Sequence, residues 1–218
     1  MKKNIIIAAF LLLGAATATA QKGFKPELSF GATGGMTLSK MNFSPTIVQK
    51  YLPGPTIGVA FRYISEKYFG IQAEIRYTSR GWKDYWEDYP EYNFERRLNY
   101  LEVPILTHIY FGNNRIRGFV NLGPQLSFFL NDSSTGNMTD VSELQTEHHT
   151  LAVDNKFDYG ITGGGGLELR FRGKHSFLLE GRYYFGLGDI FPNQKKDTFE
   201  ASASRSISIS LTYLFNIL

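Results

Sequence analysis

The stretch Asn99–Phe111, Asn-Tyr-Leu-Glu-Val-Pro-Ile-Leu-Thr-His-Ile-Tyr-Phe, constrains this chain more than any other. At a period of two, Leu101, Val103, Ile105, Thr107 and Ile109 share one face. Tyr100, Glu102, Pro104, Leu106, His108 and Tyr110 share the other. A helix would need apolar residues at i, i+3 and i+4, whereas here β-branched residues alternate. About ten residues is long for a globular strand and suits a tilted strand that crosses a bilayer. An unbroken apolar face opposite ionisable groups describes a wall between lipid and a polar interior.

The same alternation recurs along the chain. Strands are expected at about Leu28–Leu38, Ile57–Tyr63, Phe69–Arg80, Asn99–Phe111, Arg117–Leu130, Phe157–Phe171, Phe177–Leu187 and Ile207–Phe215, eight in all. The intervening segments alternate in length. Those at 40–55, 81–97, 131–156 and 189–203 are long, and those near Ser65-Glu66-Lys67, Gly112-Asn113-Asn114-Arg115 and Arg172-Gly173-Lys174-His175 are short. The expected fold is all-β, an eight-stranded antiparallel up-and-down transmembrane β-barrel with short periplasmic turns and long extracellular loops. A soluble barrel or sandwich would turn a polar face outward, but here the face without charges is apolar and aromatic on every strand. Pro104 and Pro124 lack a ladder donor within a closed barrel, so a bulge or kink is expected at both.

The N-terminus reads as an export signal. Lys2-Lys3 precede the apolar run Ile5–Leu13 and the small-residue site Ala18-Thr19-Ala20, which divides the chain into a signal peptide, 1–20, and a barrel domain, 21–218. Removing Lys2 and Lys3 takes Lys+Arg from 23 to 21 against 20 acidic residues, a net charge of about +1. That leaves no case for a nucleic-acid partner, which needs a clustered basic surface. With 0 Cys, a disulfide framework, a thiolate metal site, a cysteine nucleophile and a lipidated N-terminal cysteine are all excluded.

The inward positions gather Arg62, Glu74, Arg76, Glu102, His108, Glu168, Arg170, Glu180 and Arg182. Such a set can form an ion path or an acid–base pair, or it can neutralise itself. An eight-stranded interior is about wide enough to be filled by side chains, and a buried charge costs several kcal/mol unless paired. The set is therefore read as a structural lumen network. Gly163–Gly166 is followed by neither Lys-Ser/Thr nor a helix, so it is not a phosphate loop but a curved strand or room for bulky neighbours. His148-His149 follow Glu143 and Glu147, but adjacent histidines diverge on extended chain and no other His lies nearby. They are assigned to solvated loop. No metal, cofactor or catalytic residue is expected. A barrel-type hydrolase would need a Ser/His or Asp/His pair at the outer rim, where neither His108 nor His175 lies. Trp82, Tyr85, Trp86, Tyr89 and Tyr92, interleaved with Asp84, Glu87, Asp88 and Glu91, form the candidate recognition surface for a sugar or peptide. An interfacial aromatic girdle or a loop packed on itself would have the same composition.

Asn99-Tyr100-Leu101-Glu102-Val103-Pro104-Ile105, Gly123-Pro124 and Glu180-Gly181-Arg182-Tyr183-Tyr184-Phe185-Gly186-Leu187 together resemble the PorT-like outer-membrane β-barrel family of Bacteroidetes. The resemblance implies an eight-stranded outer-membrane barrel; the family's name comes from a component linked to type IX secretion, but the family is broad, so that activity is not carried over, and it supplies no catalytic residues. The expectation is a monomeric, non-enzymatic outer-membrane protein with a structural or interaction role through its extracellular loops. Its partners would be outer-membrane lipid and lipopolysaccharide, with a protein or glycan ligand at the loops. An accessory role in transport or secretion, and a barrel-type hydrolase, are the alternatives.

Overall fold

The computed structural model describes residues 24–87, 92–136, 147–172, 174–191 and 201–218. The signal-peptide assignment, 1–20, lies outside them. Eight long strands run β1 Glu27–Ser44, β2 Leu52–Glu66, β3 Phe69–Asp84, β4 Phe94–Gly112, β5 Ile116–Gly136, β6 Phe157–Phe171, β7 His175–Asp189 and β8 Ala201–Asn216. Each pairs antiparallel with its neighbour in the chain, and β1 pairs with β8 to close the ring. The barrel has no free edge, which is how eight amphipathic strands satisfy their backbone groups in lipid. A two-residue strand, Gln49–Lys50, adds to the end of β3, and a short helix α1 spans Glu147–Thr150.

Lipid-facing and lumen-facing side chains alternate as the sequence pattern requires. Leu101, Ile105 and Ile109 of β4 are exposed, while Glu102, Leu106 and His108 are buried. Ile57, Val59 and Phe61 of β2, Leu167 and Leu169 of β6, and Ile207, Ile209 and Leu211 of β8 continue the same apolar belt. The turn between β4 and β5 is compact: Gly112 takes a φ of +128°, and Asn113 Oδ1 accepts from the backbone N–H groups of Arg115 (2.8 Å) and Ile116 (2.9 Å). Only glycine adopts that φ without strain.

Two expectations about proline are corrected. Register is unbroken through Pro104 and Pro124. The shift in the β4–β5 ladder falls instead at Asn99/Tyr100, opposite Phe129 and Asn131. The segment 40–55 is not one loop either, because β1 runs on to Ser44 and β2 begins at Leu52 with Pro53 and Pro55 inside it. Residues 52–55 are laddered to β1 alone, and a missing donor is tolerated where a strand is paired on one side. Likewise β3 and β4 reach Asp84 and back to Phe94, so much of 81–97 is strand.

The interior is layered. At the end bearing the short turns, Ala60, Ile64, Tyr110, Phe119, Leu178 and Leu214 form an apolar cluster. A Cβ on Gly166 would lie 2.8 Å from Phe119 Cζ, so the glycine run gives that ring its space. The middle of the lumen is polar and charged. At the loop end, Met41, Phe43, Trp82, Phe94, Leu98, Tyr100, Ile190 and Phe191 form a second apolar cluster. There the membrane pattern inverts: apolar groups point inward, while Lys40, Asn42, Lys83, Glu95 and Arg97 point outward. Above the lipid belt the barrel is built like a water-soluble protein.

Candidate functional site

Polar side chains gather in two sets, one inside the lumen and one at its loop-end mouth. In the lumen every arginine meets a carboxylate. Arg62 Nη2 lies 2.7 Å from Glu168 Oε1, and Arg76 Nη2 lies 3.0 Å from Glu102 Oε2. Arg182 donates from Nη1 and Nη2 to the two Glu74 oxygens at 2.9 Å each, and reaches Glu180 at 2.7 and 3.1 Å. Arg170 pairs with Glu27 at 2.8 Å, near the turn end. His108 Nδ1 is 2.8 Å from Asn121 Oδ1, and Asn121 in turn donates to Glu180 at 2.9 Å. The nine residues singled out from the sequence therefore lie in the interior, linked by ion pairs and hydrogen bonds.

Sequence reasoning left out several members. Arg80 pairs with Asp158, stacks its guanidinium 4.0 Å from the Tyr100 ring centre, and lies 3.6 Å from Glu102. Tyr184 donates to Asp158 at 2.9 Å, Gln72 to Glu74 at 2.6 Å and Thr78 to Glu102 at 3.0 Å. Arg80 and Asp158 were legible as inward positions by parity alone. Their pairing across β3 and β6 was not.

At the mouth the aromatic set divides. Trp82 is fully buried (0% exposed) among Phe43, Phe191 and His148, so it is a core residue and not part of a recognition loop. Tyr85, Trp86 and Tyr92 are half-buried, with Lys50 Nζ held 3.7 Å above the Tyr85 ring; Tyr89 lies outside the described residues.

The two histidines assigned to solvated loop are the larger correction. Both stand on α1, which folds over the mouth. His148 is buried, and His149 stacks on Phe94 with ring centres 3.5 Å apart and 17° between planes. The Nε2 atoms of both lie 2.6 Å from the same acceptor, Asp84 Oδ2, at the end of β3. Arg96 clamps the segment from below: its Nη1 donates to the carbonyls of Leu151 (2.6 Å) and His148 (3.4 Å), while Nη2 pairs with Asp132 at 2.6 Å. Extended chain would have separated adjacent imidazoles. The helical turn, the Phe94 platform and the Arg96 clamp bring them together. Asp84, His148 and His149 are the group among the described residues whose donor atoms could share a metal ion.

Around the outer wall, just above the apolar belt, a row of cations faces outward. Lys40 lies opposite Arg205 across β1 and β8, and Lys50 lies opposite Lys83. Arg97 pairs with Glu95 at 3.2 Å, and Lys83 approaches Glu95 at 3.8 Å.

The family described as outer membrane protein beta-barrel domain matches residues 19–192. This chain belongs to it. Among solved structures, OprG from Pseudomonas aeruginosa superposes with a TM-score of 0.50 at 10% identity, over 88% of this chain and 95% of its own. Neisserial surface protein A gives 0.48 at 12% identity over 88% and 99%, and the outer membrane enzyme PagL gives 0.42 at 11% over 84% and 97%. A comparison with curated proteins found no match. As a member of the outer-membrane barrel family, the protein resides in the outer membrane. In such barrels the short turns face the periplasm and the longer loops face outward, which orients the mouth with Asp84, His148 and His149 toward the cell exterior.

Proposed function

We propose that this outer-membrane barrel is non-conducting, and that it works as an interaction protein through its loop end. The filling of the lumen by apolar, ionic and aromatic layers in series is the observation that carries this reading. A diffusion pore needs a continuous aqueous path, and an eight-stranded interior packed with paired charges supplies a plug instead. The inward charge set acts as that structural plug. Tyr85, Trp86 and Tyr92 offer rigid contact area to a protein or glycan ligand.

The outward cations support lipopolysaccharide as the lipid partner. Like charges placed directly opposite on a sheet repel, so the Lys40/Arg205 pair is placed at a cost unless anionic headgroups screen it. The Tyr100-Leu101-Glu102-Val103-Pro104 segment supports a place in the PorT-like group, for which deletion would produce an export defect. Refolded protein reconstituted in planar bilayers tests the central reading. No conductance steps are expected under conditions where a porin opens, and purified lipopolysaccharide should shift the folded band on a native gel for the parent protein but not for Lys40→Glu/Arg205→Glu. Stable channel steps, or an unchanged shift in the double variant, would overturn the respective halves.

A further inference from the structure

The geometry points to a transition-metal site at the barrel mouth, with Asp84, His148 and His149 as ligands for one divalent ion of the zinc class. Three observations converge on it. First, the three donor atoms face one point, with both imidazole Nε2 atoms 2.6 Å from Asp84 Oδ2. A tetrahedral zinc ion with bonds of about 2.0–2.2 Å separates its ligand atoms by roughly 3.3 Å, so each contact need open by only about 0.7 Å. Second, Asp84 differs electrostatically from the other buried carboxylates. Glu74, Glu102, Asp158, Glu168 and Glu180 each face an arginine, whereas Asp84, its side chain 0% exposed, faces imidazoles alone among the described residues. A buried carboxylate requires a counter-charge, and a bound dication supplies one. Third, Asp84 Oδ1 is buried with no hydrogen-bond partner among the described residues, which leaves a second carboxylate oxygen for the same ion.

The donor set decides the class of metal. Two imidazoles and one carboxylate suit zinc, nickel or copper; calcium and magnesium prefer all-oxygen shells. Three protein ligands leave a position for water or for Asp84 Oδ1. His149 is partly exposed, which gives the ion a path in from outside. The stacking of His149 on Phe94 and the Arg96 bonds to the backbone of His148 and Leu151 hold the imidazoles before any ion arrives. The bound ion would pin α1 to the end of β3. This site does not depend on the barrel being non-conducting or on its lipid partner.

Zinc titration of the full-length folded protein, stripped with chelator and followed by calorimetry in detergent, tests the site. The parent protein should take up one zinc ion per chain, and cobalt should give the intense visible bands of a tetrahedral site. Asp84→Asn and His148→Ala should each weaken uptake by roughly tenfold or more. His175→Ala, in the strand next to the turn end, should bind as the parent does. Heat-modifiable gel migration reports whether each variant still forms the barrel. The cobalt spectrum of the parent alone decides the matter if the variants do not fold. Absence of saturable one-to-one uptake by the parent, or uptake that persists in His148→Ala/His149→Ala, would overturn the assignment.

Discussion

Arg182 is the side chain whose loss should separate a packed ionic lumen from a hydrated one. Its guanidinium makes four hydrogen bonds, two to Glu74 and two to Glu180, and all three side chains are 1–2% exposed. In Arg182→Met, Glu74 keeps Gln72 at 2.6 Å and a contact of 3.5 Å with Arg76. Glu180 keeps the Asn121 amide but loses its one cation among the described residues. Removing one partner of a buried pair costs about 3–5 kcal/mol, because the remaining charge stays desolvated. Unfolding of the refolded protein by urea in lipid vesicles should show that loss. The triple variant Arg182→Met/Glu74→Gln/Glu180→Gln should recover most of it, since whole buried ion groups are often replaced at little net cost. As a surface reference, Glu95→Ala breaks the Arg97 and Lys83 contacts and should cost roughly 0.2–1 kcal/mol. If Arg182→Met costs no more than Glu95→Ala, water already solvates the lumen charges and the plug argument fails. If the triple variant is no better than the single one, Arg182 acts through packing of its stem rather than through charge.

Two further outcomes follow from the same structure. Ile105 is outward and 45% exposed near the middle of the apolar stretch of β4, so Ile105→Arg should destabilise the barrel in vesicles by about 2–4 kcal/mol, whereas Asn99→Arg, in the polar zone above, should be near neutral. Arg96→Ala removes the bonds to the Leu151 and His148 carbonyls, so limited proteolysis of intact cells should cut between β5 and β6 much faster than in the parent, while heat-modifiable migration is kept.

The membrane-embedded half of the barrel was legible because lipid imposes one rule on every outward position. From Leu101 to Ile109 and from Leu167 to Phe171 parity alone assigns each side chain, and Pro104 did not disturb it because its missing donor leaves the register intact. Above the belt the rule changes sign. Met41 and Phe43 continue the strand of Leu38 but point inward, and Lys40 and Asn42 take the outward places. A reader who expects apolar residues outward sees the pattern break near residue 40 and near residue 81, and ends the strands there. By that rule Trp82 falls in a loop, although it is the largest side chain of the upper core.

The mouth cluster was hidden by a related cause. Asp84 is the last residue of β3, beyond the point where outward apolar residues stop, and His148 and His149 arrive from a segment far along the chain. No spacing rule joins a residue at a strand end to two residues some 64 positions later. The signals that do connect them are local and physical. Asp84 has inward parity, which demands a partner for its charge, and the neighbouring inward side chains Phe43, Trp82 and Phe94 form an aromatic seat that suits imidazole rings. Arg96, also inward, pairs with Asp132 and places its remaining donors on the carbonyls of His148 in α1 and of Leu151 just after it, since buried donors need acceptors. Reading the upper barrel as a soluble core, with the apolar face inward, would have set Asp84 in that core as a buried charge without a partner on its own strand. Chain from a long loop must then fold in to meet it, and of the segments at this end the one between β5 and β6 carries the adjacent histidines.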